Sequence, residues 1–245
     1  MAEKYYGITP YAYSMNIPSS LIDPDGRDVD ITNLTDEEHK KALVEFLKTQ
    51  NGKAFIASYL KMGQSFTKKI GEKNHVYTGK SNGEFANDVL AFGSADDLGR
   101  NKDAVVLGRT TTNKPDGNQL DEDGYGGSDN KYEVRKQTVE QIWLKKSEGL
   151  DKTISALGHE AFVHAFPDQN RIRELRQELN KGTIQPGTKK YGLKLEAITN
   201  SGQVDHRNLS NGKSVAFMNF SLQMDVIKST TKFIKSYNQD VKENK

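Results

Sequence analysis

The spacing of apolar positions predicts helices towards both ends of the chain and short strands between them. Leu43, Val44 and Leu47 recur at helical spacing behind Thr35-Asp36-Glu37-Glu38. Thr35 reads as an N-cap and Glu38, three residues on, completes a capping box. This predicts a helix over 36–50, broken by Asn51-Gly52, and a second over 54–62. Residues 63–100 are mixed and punctuated by Gly71, Gly79, Gly83, Gly93 and Gly99. His75–Thr78 and 104–112 read as strands, and 132–145 as mainly strand, with Val139, Ile142 and Trp143 set among charges. Ile154, Leu157, Ala161 and Ala165 then form an apolar stripe along a helix over 150–166, which Pro167 is expected to end. A helix over 171–181 stops at Gly182, 193–198 reads as a strand or helix edge, and 219–238 is the last helix. No internal repeat is visible. The fold class this implies is α+β, with one helix packed on a small mixed or antiparallel sheet and further helices around it.

Composition narrows the chemistry. Apolar residues make up 34% of the 245 and charged residues 28%, with ten Phe and ten Tyr to build a core. One compact domain with long polar loops is expected. Net charge is +2, from 35 basic and 33 acidic residues, so charge implies no nucleic-acid partner. The basic stretch 228–245 reads as a solvated helix end. Cysteine is absent, which excludes disulfides and thiolate metal sites; any metal must use His, Asp or Glu. No apolar run approaches the roughly 18 residues of a membrane span, and the first residues lack the apolar core of a signal peptide. Asp121-Glu122-Asp123-Gly124, in a loop over 114–130, lacks the ligand spacing of a calcium-binding EF-hand.

The segment Gly158-His159-Glu160-Ala161-Phe162-Val163-His164-Ala165 carries the candidate chemistry. Metallopeptidase helices usually read His-Glu-x-x-His, which brings two imidazoles to one zinc ion and sets the Glu beside its water. Here one more residue intervenes. On a regular α-helix five residues turn roughly 500°, leaving the imidazoles about 140° apart. A π-bulge absorbs the extra residue and returns both to one face. The zinc helix of the dipeptidyl peptidase III family reads His-Glu-x-x-x-His, and His159, Glu160 and His164 match it; the likeness is confined to these residues. Under this reading Zn²⁺ is the cofactor, His159 and His164 are ligands, and Glu160 is the catalytic base that activates the zinc-bound water. Small Gly158 and Ala161 let another element approach. The alternative is an ordinary helix with the two His on opposite exposed edges.

A zinc site needs a third protein ligand and an open position. His206, in Val204-Asp205-His206-Arg207, is the choice, with a loop expected to carry it to the helix. Asp205 is either the ligand instead or a residue that orients His206. Asp168, Glu174 and Glu178 are further candidates. His39 is expected to be solvated on an exposed amphipathic helix, and His75 is a weaker candidate. Tyr191 or Arg207 would suit the oxyanion of a tetrahedral intermediate.

The first residues differ from the rest. Tyr6, Gly7, Pro10, Tyr11, Tyr13, Asn16 and Pro18 precede a turn, Asp23-Pro24-Asp25-Gly26. This segment resembles the end of the Rhs repeat-associated core, which closes the shell of Rhs and YD-repeat proteins. Ile17 stands where that pattern has a second Asn, and the second Asp-Pro-x-Gly of self-cleaving members is missing. The resemblance covers about a tenth of the chain and divides it into 1–28 and a domain over 29–245. It implies that the larger part is a variable tip, usually a toxin, delivered as the C-terminal part of a larger effector and paired with a cognate immunity protein. Together with the zincin-like helix this leads to a zinc metallopeptidase toxin acting on a protein or peptide substrate. A metal-dependent nuclease toxin is the rival enzyme; it lacks support from a mid-chain basic patch or a His-Asn-His motif. A non-catalytic binding module is the third reading.

Overall fold

The computed structural model describes residues 29–63, 65–70, 73–78, 83–101, 104–113 and 137–243. Along the chain come β1 (Val29–Asp30), α1 (Glu37–Phe46), α2 (Gln50–Ala57), β2 (Ser65–Ile70) and β3 (Lys73–Thr78). They are followed by β4 (Val89–Ala95), β5 (Arg100–Asn101), β6 (Ala104–Val105), β7 (Gly108–Asn113) and β8 (Val139–Lys145). The remainder is helical: α3 (Leu150–His159), a π-helical segment (Glu160–Ala165), α4 (Phe166–Asn180), α5 (Lys189–Thr199), α6 (Gly202–Ser210) and α7 (Val215–Glu243). This is an α+β arrangement, as the periodicity predicts. The Rhs-like residues 1–28 and the acidic loop over 114–130 lie outside the described residues.

A mixed four-stranded sheet runs in the order β1-β4-β8-β7. β4 pairs in parallel with β1 and β8, and β7 closes antiparallel on β8. β4 is central, and four consecutive residues, Leu90–Gly93, are buried, the pattern of a strand covered on both faces. β8 alternates instead: Glu140, Ile142 and Leu144 point inward while their neighbours are half-buried. Hairpins β2-β3 and β5-β6 stand apart from this sheet.

Helices α1, α2, α3 and α7 bury the inward face. Phe162, in the middle of the π segment, lies with its ring centroid 5.5 Å from Phe46, 5.6 Å from Phe55 and 5.4 Å from Phe220. Such aromatic contacts add to the area each ring removes from water. A smaller second core joins Ile172, Leu175 and Leu179 of α4 to Tyr191, Leu195 and Ile198 of α5. Among the described residues no helix is long and apolar enough to cross a membrane.

Several local expectations are corrected. Asp36, not Thr35, caps α1, accepting from the N–H groups of Glu38 and His39. Asn51-Gly52 does not break a helix: it lies in the first turn of α2, which Thr49 caps by accepting from Gly52 N. The strand expected over 104–112 is split into β6 and β7, and 193–198 belongs to helix α5. Pro167 does not end the helix either. It directly follows the π segment, and the widened turn there, not a helix start, accommodates its missing N–H. Helices expected over 150–166 and 171–181 are therefore one continuous rod.

The expectation that Gly158 admits a neighbour holds. A Cβ there would stand 2.0 Å from Phe220 Cε1, so α7 crosses α3 at a point only glycine allows. Gly158→Ala should destabilise the protein by about 1–3 kcal/mol despite alanine's better helix propensity, because overpacking outweighs it. Urea unfolding of the two proteins measures the difference; a stabilised variant would contradict the packing.

Candidate functional site

Glu160–Ala165 is π-helical, and Phe166 N–H bonds Ala161 O across five residues. That widened turn brings together the two imidazoles an α-helix would separate. The ring centroids of His159 and His164 are 5.1 Å apart. His206 completes a triangle, 5.1 Å from His159 and 4.9 Å from His164. The three residues each offer a ring nitrogen, and these atoms lie within 4.8 Å of one another. His206 arrives on helix α6, not on the loop expected for it. A helix suits the task better, since it holds the ring against rigid neighbours.

The cluster opens into a cleft of about 650 Å³, walled by β6–β7, the α3–α4 rod and the α5–α6 corner, with Phe217 beside His159. Glu160 is buried at its edge. Thr110 Oγ1 donates to Glu160 Oε2 at 2.8 Å. Gly108 leaves room for the same side chain: a Cβ there would lie 2.6 Å from Glu160 Cγ. Burial pushes the Glu160 carboxyl up, against the opposing pull of His164, Thr110 and Arg109. Carboxylates so placed hold a proton closer to neutral pH than exposed ones do.

Charge on the imidazoles is unequal. Burial, with the neighbouring His164 and His206, lowers His159 to about 4, and burial and His164 also lower His206. Burial alone would lower His164 too, but the hydrogen bond to Asp205 and the charge of Glu160 outweigh it and raise that ring. Two neutral imidazoles and a third drawn towards positive charge by nearby carboxylates form a donor set that fits a cation. Three nitrogen donors facing an open cleft could hold a metal ion and leave room for a further ligand.

The other sequence candidates sort clearly. Asp205 is buried beside His164, not His206. Asp168 lines the cleft but is paired with Arg171, and burial raises it to about 6 despite that partner. Glu174 is exposed and Glu178 pairs with Lys190 and Lys194 away from the cluster. His39 is fully buried, with Nδ1 2.8 Å from Ser94 Oγ and Nε2 3.0 Å from Lys145 O, so the solvated reading is wrong. Its helix turns that face to the sheet, where both ring nitrogens find partners. His75 lies on β3, in the separate hairpin, and its side chain is outside the described residues. Tyr191 is buried in the second core and Arg207 is exposed on α6; neither lines the cleft. Sequence reasoning missed Gly108, Thr110, Arg171 and Phe217. Nothing local marks them, because their contacts with the cluster come from residues 34 or more positions away.

In metal-free protein His159 should titrate near 4, followed by ¹H–¹⁵N correlation of the imidazoles. Unfolded, it takes up its proton near 6.5. Between those values the unfolded state binds more protons, so His159 makes stability decline as pH falls from about 6.5 to about 4. The raised His164 acts oppositely, its contribution being lost as pH rises through its folded value. A His159 that titrates at 6.5 would mean that its ring is solvated.

No family model matches the chain, and comparison with curated proteins and with solved structures finds no match.

Proposed function

We propose that the protein is a zinc-dependent hydrolase, a metallopeptidase with a zincin-like active-site helix. The observation that carries this reading is the convergence of His159, His164 and His206 on one side of a cleft, with the Glu160 carboxylate set beside them. Zinc bound there would supply a Lewis acid and an acidified water. The three imidazoles would hold the ion. Glu160, anchored through Oε2 by Thr110, accepts a proton at its carboxylate and returns it to the leaving group. Burial raises its proton affinity, which suits a group that must take up a proton and give it back.

The cleft wall favours a peptide. Among the described residues β7 is an edge strand, and its backbone groups can pair with an extended chain. Leu107, Ala156, Ile198 and Phe217 give that chain apolar contacts, while Arg109 and Lys152 are the only Lys or Arg among the described lining residues. A phosphodiester substrate would call for more positive charge. Protein purified without chelator should carry close to one zinc per chain by elemental analysis. It should cleave casein and leave plasmid DNA intact. Glu160→Gln should keep the zinc and lose activity by at least about 10²-fold. DNA cleavage would transfer the reading to a nuclease, and absence of metal on zinc addition would remove it.

The Rhs-like segment over 4–26 supports a biological role as the toxin tip of a larger effector, held in check by an immunity protein. Expression in a bacterial cytoplasm or periplasm should then slow growth, with His159→Ala and Glu160→Gln relieving it. Growth curves identical for wild type and Glu160→Gln in both compartments would speak against the toxin role while leaving the metal centre open to its own test.

A further inference from the structure

Asp205 and His206 are neighbours on α6 but face different ways. His206 is exposed at the cleft, whereas Asp205 is 2% exposed. Asp205 Oδ2 lies 3.5 Å from His164 Nδ1 and 3.2 Å from Arg171 Nη1. Arg171 Nη2 donates to Asp205 Oδ1, so the guanidinium grips both carboxylate oxygens. Arg171 Nη1 also donates to Asp168 Oδ1. A line of alternating charge, His164–Asp205–Arg171–Asp168, thus ties α6 to the α3–α4 rod behind the imidazole cluster. A carboxylate this deeply buried is costly unless its oxygens are occupied, and the planar fork of arginine occupies them in a fixed direction.

We infer that Asp205 is a positioning residue of the metal centre, clamped by Arg171. This rests on the reading of His159, His164 and His206 as ligands. Asp205 takes the Nδ1–H of His164, which fixes the ring's tautomer and turn and leaves Nε2 as the ligand atom. Because His206 follows Asp205 directly, the same clamp sets the height of α6 and therefore the place of the third imidazole. One dipeptide supplies a ligand and the partner of a different ligand.

The test is a double-mutant cycle read by zinc affinity, with metal-free protein titrated against a chromophoric chelator. Asp205→Asn should weaken zinc binding about 10–100-fold. In a His164→Ala background the same substitution should cost clearly less, because the contact to His164 is gone and only the part that acts through α6 and His206 remains. Equal losses in both backgrounds would show that Asp205 only supports the fold, and overturn the assignment. So would an Asp205→Asn protein that binds zinc as tightly as wild type. Cobalt(II) substituted for zinc adds a spectroscopic readout: the visible d–d bands should shift in Asp205→Asn while staying intense. If Asp205→Asn does not fold, Arg171→Lys takes its place. A single ammonium cannot reproduce the fork, so about tenfold weaker zinc binding with unchanged far-ultraviolet circular dichroism is expected. Unchanged affinity there overturns the clamp. Wild-type protein that binds no zinc overturns the metal-centre reading and this inference with it.

Discussion

The hydrogen bond from Phe166 N–H to Ala161 O spans five residues instead of four, and the site is organised around that widened turn. His159 and His164 are spaced wrongly for a regular helix and correctly for this one. A π turn is rare because its backbone geometry is less favourable than the α-helix's, so something must hold it. Phe162 does so from behind, wedged between Phe46, Phe55 and Phe220, and Gly158 admits Phe220 one turn earlier. Burying a side chain of that size is worth about 1.5–3 kcal/mol. Apolar packing on one side of the rod thereby sets the imidazole geometry on the other.

Polar contacts then fix how the rod lies on the sheet. Gln169 Nε2 donates to Glu140 Oε2 at 2.9 Å, and Thr112 Oγ1 donates to the same oxygen, joining α4 to β7 and β8. Arg176 binds both oxygens of Asp88, which also accepts from Thr138 N and Oγ1. Burial, reinforced by the nearby Asp168, pushes the Glu140 carboxyl well above the usual range. These groups hold the half of the rod that follows the π turn. The start of the π turn itself is held by Thr110 against Glu160. β7 therefore touches the rod at two places, once at the proposed base and once, through Thr112 and Glu140, beyond the histidine cluster.

The electrostatics of the cluster follow from the same placement. Buried His159 resists a proton, while Asp205 and Glu160 draw positive charge towards His164. Carboxylates that raise one ring's proton affinity would equally favour a divalent cation among the three. The acidic groups are thus arranged in two layers, Glu160 on the cleft side and Asp205 with its Arg171 partner behind.

Much of this was legible along the chain. The α+β class, the last helix, the helix over 150–166 and the need for a break in α geometry between His159 and His164 follow from local periodicity and spacing. So does the exclusion of thiolate ligands. Local signals misplaced what depends on distant partners. Pro167 looked like a terminator because its missing N–H matters in an α-helix, and only the preceding π turn makes it harmless. His39 looked solvated because its helix is rich in charge, yet it meets Ser94 and Lys145 from two other elements. His206 was chosen as the third ligand by elimination among few histidines, but its helix and the ion pair of Asp205 with Arg171 were invisible to a one-dimensional reading. Residue types and their spacing determined which groups could bind a metal and that the helix had to deform. Where those groups meet was decided by tertiary packing alone, because Phe162, Gly158, Gly108 and Arg171 act through space on partners with no fixed offset along the chain.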